Sequence, residues 1–94
     1  MTVYRLTEYT SSDMGKLTEF AETLRELVSG AGALFIDVVD LGEGKAVVVA
    51  KYASQADMDA ATEINKQAFG KMIEAGLVDA ASIRSQSGDV TFTF

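Results

Sequence analysis

The period of the apolar residues changes repeatedly along the chain, and each change marks an element. Val3 to Thr10 alternates and is rich in β-branched and aromatic residues, which predicts a strand. From about Asp13 to Ser29, the residues Met14, Leu17, Phe20, Ala21, Leu24, Leu27 and Val28 recur at three- and four-residue steps, which predicts an amphipathic helix. Ser12 is its expected N-cap, and Gly30 and Gly32 are its expected end. Ala33 to Leu41 and Lys45 to Ala53 are apolar on both faces and flank a hairpin signal, Gly42-Glu43-Gly44. A second helix is predicted from Gln55 to about Ala75. It opens on Ser54-Gln55-Ala56-Asp57, a capping box with Asp in the last position, and closes on Gly76 with Leu77-Val78 folding back. Its apolar stripe is Met58, Ala61, Ile64, Ala68, Phe69, Met72 and Ile73. Ala80 to Gln86 begins a last strand, Ser87-Gly88-Asp89 interrupts it, and Val90 to Phe94 alternates to the final residue.

The order β-α-β-β-α-β is the ferredoxin-like one. It predicts an α+β domain over residues 1–94: a four-stranded antiparallel sheet in the order 4-1-3-2 with two helices on one face. The other sheet face is then left open, and neither choice of strand parity makes it polar. The third strand offers Ala46, Val48, Ala50 and Tyr52, or else Val47, Val49 and Ala53. The second offers Leu34, Ile36 and Val38, or else Phe35, Val39 and Leu41. A patch of that kind exceeds the few hundred Å² that a soluble monomer normally exposes, so a homodimer through the sheet face is expected. The terminal alternating segment is expected to pair as well, with another subunit as its candidate partner.

Composition narrows the chemistry. Of 94 residues, 48% are hydrophobic, high for a body this small, and the net charge is −6. An acidic surface disfavours nucleic acid and anionic membranes as partners. The chain has no Cys, which excludes disulfide and thiolate chemistry. It has no His, which removes the commonest general base and metal ligand, so neither metal nor cofactor is expected. The opening Met1-Thr2-Val3-Tyr4-Arg5 lacks a secretion-signal layout, and a cytoplasmic location is expected.

With these elements in place, the chain resembles the dimeric α/β-barrel superfamily, specifically its antibiotic-biosynthesis-monooxygenase-like group. The resemblance covers nearly all the residues in element order and length. It is sharpest at the junction Val48-Val49-Ala50-Lys51-Tyr52-Ala53-Ser54-Gln55-Ala56, which is similar to the family's strand end, short turn, acidic or amide residue and Ala. The chain departs from the family where a frequent Trp falls on Lys51 and a frequent helix His falls on Ala60. The resemblance implies either a ligand-binding dimer or a cofactor-independent oxygenase or isomerase acting on an aromatic, polyketide-like substrate. The missing His excludes haem degradation of the family's kind.

Polar residues inside apolar strands are the candidates for a site. If the hairpin loop is Gly42 to Gly44, Leu41 faces Lys45, Phe35 faces Lys51 and Asp37 faces Val49. Asp37 and Lys51 then become diagonal neighbours on one face. They are read either as an ion pair at the sheet margin or as a pair orienting a polar ligand. Tyr4, Tyr9 and Tyr52 are the only phenols, and Arg5 and Arg84 lie on strands expected to be adjacent. Glu8 can be solvated or ligand-facing. Tyr4, Asp37, Lys51 and Arg84 are nominated as anchors for a small, largely apolar or aromatic ligand held between sheet and helices. No residue is assigned a catalytic role. A structural dimer with no pocket is the third reading. The acidic group Asp37, Asp40, Glu43 lacks the spacing of a calcium loop, and Gly30-Ala31-Gly32 follows a helix, whereas a phosphate loop precedes one.

Overall fold

The structure, a computed structural model, describes residues 1–94. Four strands, β1 (Val3–Thr10), β2 (Phe35–Gly42), β3 (Lys45–Tyr52) and β4 (Arg84–Asp89), form one antiparallel sheet in the order β2-β3-β1-β4. This is the expected 4-1-3-2 order, read from the opposite edge. Three helices, α1 (Met14–Thr23), α2 (Arg25–Ser29) and α3 (Gln55–Glu74), carry the connections. No helix is long and apolar enough to cross a membrane.

The register settles which parity meets the helices. Val3, Arg5, Thr7 and Tyr9 of β1 lie opposite Tyr52, Ala50, Val48 and Ala46 of β3. Val3, Thr7, Tyr9, Ala46, Ala50 and Tyr52 are buried. All but Thr7 pack with Leu17, Leu24, Met58, Ala61, Ala68 and Met72 in two clusters, and the Thr7 hydroxyl shares a 3.1 Å hydrogen bond with that of Ser85. The other row, Tyr4, Leu6 and Glu8 opposite Lys51, Val49 and Val47, faces away from the helices.

The ends of α3 form as predicted. Asp57 N donates to Ser54 Oγ at 3.1 Å. At the other end Leu77 N donates to Met72 O and Gly76 N to Ile73 O, the paired bonds of a Schellman motif, with Gly76 at φ +75°. The first helix differs in two ways from its expected form. Its N-cap is Asp13, whose Oδ1 accepts from Lys16 N at 3.0 Å, not Ser12. It also breaks at Leu24, directly after Thr23, whose hydroxyl donates to Phe20 O at 2.6 Å. That bond competes locally for helical carbonyls.

Two strand boundaries also need correction. The β2–β3 hairpin turns on Glu43-Gly44, both at positive φ. Gly42, not Leu41, faces Lys45, and Leu41 occupies a bulge. The pairs Phe35–Lys51 and Asp37–Val49 are nevertheless as predicted. The last strand lies later than its expected start and stops earlier. Ala80–Ser82 is a 3₁₀ turn capped by the Asp79 carboxylate, and β4 runs straight through Ser87-Gly88-Asp89. Val90 to Phe94 is not a strand, because β1 offers partners only as far as Val3 opposite Asp89. A single further bond, Val90 N to Thr2 O at 2.9 Å, closes the ladder.

Candidate functional site

Between the helices and the inner sheet face lies a cavity of about 510 Å³, within the range of small-molecule sites. Alanines create it. Ala50 on β3, Ala68 on α3, Ala21 on α1 and Ala33 before β2 each project a single methyl where a larger side chain would fill the gap. The cavity opens toward β2, where Val38 is 56% exposed because no helix covers that edge. Most of its wall is apolar, with Leu17, Val48, Phe69 and Met72 among the larger contributors.

A few polar groups interrupt that wall, and they are connected. Arg5, from the inner row of β1, donates through Nη2 to Thr62 Oγ1 at 2.9 Å and to Met58 O at 3.3 Å, both on α3. Its guanidinium carbon lies 6.0 Å from the centre of the Tyr52 ring. The fully buried Tyr52 has its hydroxyl held by Asn65 Nδ2 at 3.3 Å, and Asn65 itself lines the cavity. Arg5 makes no ion pair; the single ion pair of the molecule is Arg25–Glu22, 2.7 Å, on the exterior. A half-buried guanidinium with no counter-ion is an unusual expense in an apolar setting. Further along the same row, Tyr9 packs edge-on against Phe69 with ring centres 5.5 Å apart. Burial raises the pKa of Tyr9 above the ordinary phenol value, so its hydroxyl remains a donor at neutral pH.

None of the four nominated anchors lines this cavity. Tyr4 and Lys51 face each other on the outer side of the sheet, where Lys51 Nζ lies 5.6 Å from the centre of the Tyr4 ring. Asp37, opposite Val49, shares that side, and it makes no ion pair with Lys51. Arg84 lies opposite Glu8, also on the outer side, and donates to the carbonyls of Ala81 and Ile83. Their expected place between sheet and helices is therefore corrected. Strand parity, which the spacing of residues left open, puts Arg5 inside and Tyr4, Asp37, Lys51 and Arg84 outside. Reasoning from sequence weighed Arg5, Tyr9 and Tyr52 without choosing them, and it missed Thr62 and Asn65. These two are polar residues three apart on α3, and only the strand register shows what they face.

The outer side carries an apolar patch. Leu6 is 42% exposed and Val39 40%, and Val47 and Val49 lie between them. Tyr4 stacks edge-on with Phe35 at 6.0 Å along the same margin.

No protein-family model matches the sequence, and no curated protein matches it. Solved structures do match the fold. A dimeric ferredoxin-like protein from an uncultured marine organism superposes with a TM-score of 0.70 at 16% identity, covering 100% of this chain and 98% of that one. SnoaB, a cofactor-independent oxygenase from Streptomyces nogalater, gives 0.67 at 11% identity, over 98% of this chain and 95% of that one. A putative antibiotic biosynthesis monooxygenase from Chloroflexus aurantiacus gives 0.66 at 11% identity, over 100% and 97%. The chain thus has the fold shared by dimeric ferredoxin-like and antibiotic-biosynthesis-monooxygenase-like proteins.

Proposed function

We propose that the chain is a homodimeric ligand-binding domain that holds a small, largely apolar molecule in the cavity between its sheet and helices. One observation carries this reading: a ligand-sized apolar space whose few polar groups, Arg5 and Asn65 among them, are tied to neighbours on one side and open to the cavity on the other. The second copy is proposed to cover the outer sheet face. The Leu6, Val39, Val47, Val49 patch supports this, as does the dimeric state of the marine protein with the same fold. Under this reading Tyr4, Asp37, Lys51 and Arg84 serve the subunit contact and its rim.

The test is to fill the space. Ala68→Phe should weaken binding of a neutral naphthyl ester by about tenfold or more, because the new ring takes the volume the ligand needs. Calorimetric titration measures it. Unchanged affinity in a folded Ala68→Phe protein contradicts the reading.

A second reading, cofactor-independent oxygenation, is favoured by the same guanidinium and amide. A cationic Arg5 and the Asn65 amide, both lining the cavity, stabilise a phenolate or enolate, the electron-rich form of a substrate that reacts with oxygen unaided. SnoaB, with the same fold, is an oxygenase of this type. Oxygen uptake with an anthrone or quinol substrate, reduced about 100-fold in Asn65→Ala, is the expected result. No uptake across such substrates, alongside saturable ligand binding, leaves the binding domain alone.

A further inference from the structure

The donors left over in the cavity define what it should hold. A guanidinium has five N–H donors in a planar fork. Arg5 commits only Nη2 to protein acceptors, and Nε and Nη1 donate to no protein atom. No buried side-chain polar atom in the molecule lacks a partner, so these nitrogens are reachable from the cavity or its mouth. The same holds for the Tyr9 hydroxyl, which has no protein partner although the residue is only 3% exposed. Both two-toothed edges of the guanidinium include the committed Nη2, so Nε and Nη1 each offer single charge-assisted hydrogen bonds to an anionic oxygen such as that of a carboxylate.

The remaining wall limits the charge and shape of that acid. No Lys lines the cavity, and Arg25, at the mouth, is engaged by Glu22. Asp40 stands at the same mouth and repels a dianion. One free cation therefore answers one negative charge. Arg5 and Tyr9 lie four residues apart on the same side of β1, about 13 Å along the strand. The Tyr9–Phe69 pair supplies aromatic edges at the far end.

We infer that the ligand of this cavity is an aromatic monocarboxylate, with its carboxylate accepting from the uncommitted nitrogens of Arg5 and its ring body directed along β1 toward Tyr9 and Phe69. The assignment rests on the reading of the cavity as a binding site. The Thr62 hydroxyl acts as a positioning group, holding the guanidinium by Nη2 while Nε and Nη1 stay uncommitted.

Calorimetric titration of the intact protein with 2-naphthoate and with its methyl ester tests it. The acid should bind at least about tenfold more tightly than the ester, because only the acid answers the cation. Arg5→Met should collapse the acid-to-ester affinity ratio to about one, and Arg5→Lys should restore part of it. The wild-type acid-to-ester ratio needs no variant to fold, and circular dichroism establishes that the variants do. Equal affinity of acid and ester in the wild type overturns the carboxylate assignment and leaves the cavity a binding site. Absence of binding by either compound at millimolar concentration overturns both.

Discussion

Under the proposed face-to-face pairing, wild-type protein should sediment as a dimer and Val49→Asp as a monomer at micromolar concentration. Val49 lies on β3, inside the sheet, with Leu6 opposite it on one side and Asp37 on the other. In a face-to-face dimer, a carboxylate there is buried directly opposite Asp37 in both copies, with the nearest cation, Lys51, two residues along the strand at the margin. An uncompensated buried charge costs about 3–5 kcal/mol, which raises a dimer dissociation constant by about a thousandfold or more. The isolated subunit loses less. Val49 is only half-buried there, and the change costs about 1 kcal/mol of strand preference. The variant should therefore remain folded by circular dichroism. Wild-type and Val49→Asp protein sedimenting alike would contradict the assignment of this face to a second copy.

Tyr52→Ala should remove about 3–5 kcal/mol of folding stability, the range for deleting a buried aromatic side chain. Tyr52 is fully buried at the end of β3. It packs with Val3, Ala50, Met58 and Ala61, carries the Arg5 guanidinium over its ring and holds the Asn65 amide on its hydroxyl. Small domains have about 5–15 kcal/mol in total, so this variant should be substantially unfolded near 37 °C. Tyr52→Phe keeps the ring and loses only the 3.3 Å bond, which contributes about 1 kcal/mol. Urea unfolding at fixed protein concentration, which holds any contribution of the proposed dimer constant, measures both. Equal losses in the two variants would show that the hydroxyl, not the ring, dominates.

The periodicities of 2 and 3.6 located the elements, because patterns of this kind record burial directly, and the order of those elements gave the sheet order. The β2–β3 pairs from Phe35 to Asp37 followed from a hairpin loop of Gly42 to Gly44, and they hold because the bulge at Leu41 offsets the shorter turn. The site was less legible. In β2 and β3 both rows are apolar, so hydrophobicity did not say which faced the helices. A signal was present in β3: its odd row ends in Lys45 and Lys51, whereas its even row, Ala46, Val48, Ala50 and Tyr52, carries no charge. Carried across to β1, that parity puts Arg5 inside and Tyr4 outside. The Asp37–Lys51 pair drew attention because charges in apolar strands stand out, yet they stand out on the exposed side, where charge is inexpensive. The cavity itself could not be read in advance. Its alanines are spread over four separate segments, and only packing brings their small side chains together. Beyond the Val90 N to Thr2 O bond, the Val90–Phe94 alternation finds no strand to pair with in the chain, and pattern alone does not supply a partner.

The division of the sheet into a ligand side and a subunit side is tested most directly by methyl NMR of the isotope-labelled protein titrated with 2-naphthoate. Ala50, Val48, Leu17, Ala68 and Met72 report the cavity, while Leu6, Val39, Val47 and Val49 report the outer face. Saturable shifts confined to the first set are the predicted result. Shifts concentrated in the second set, with Ala50 and Ala68 unmoved, would contradict it.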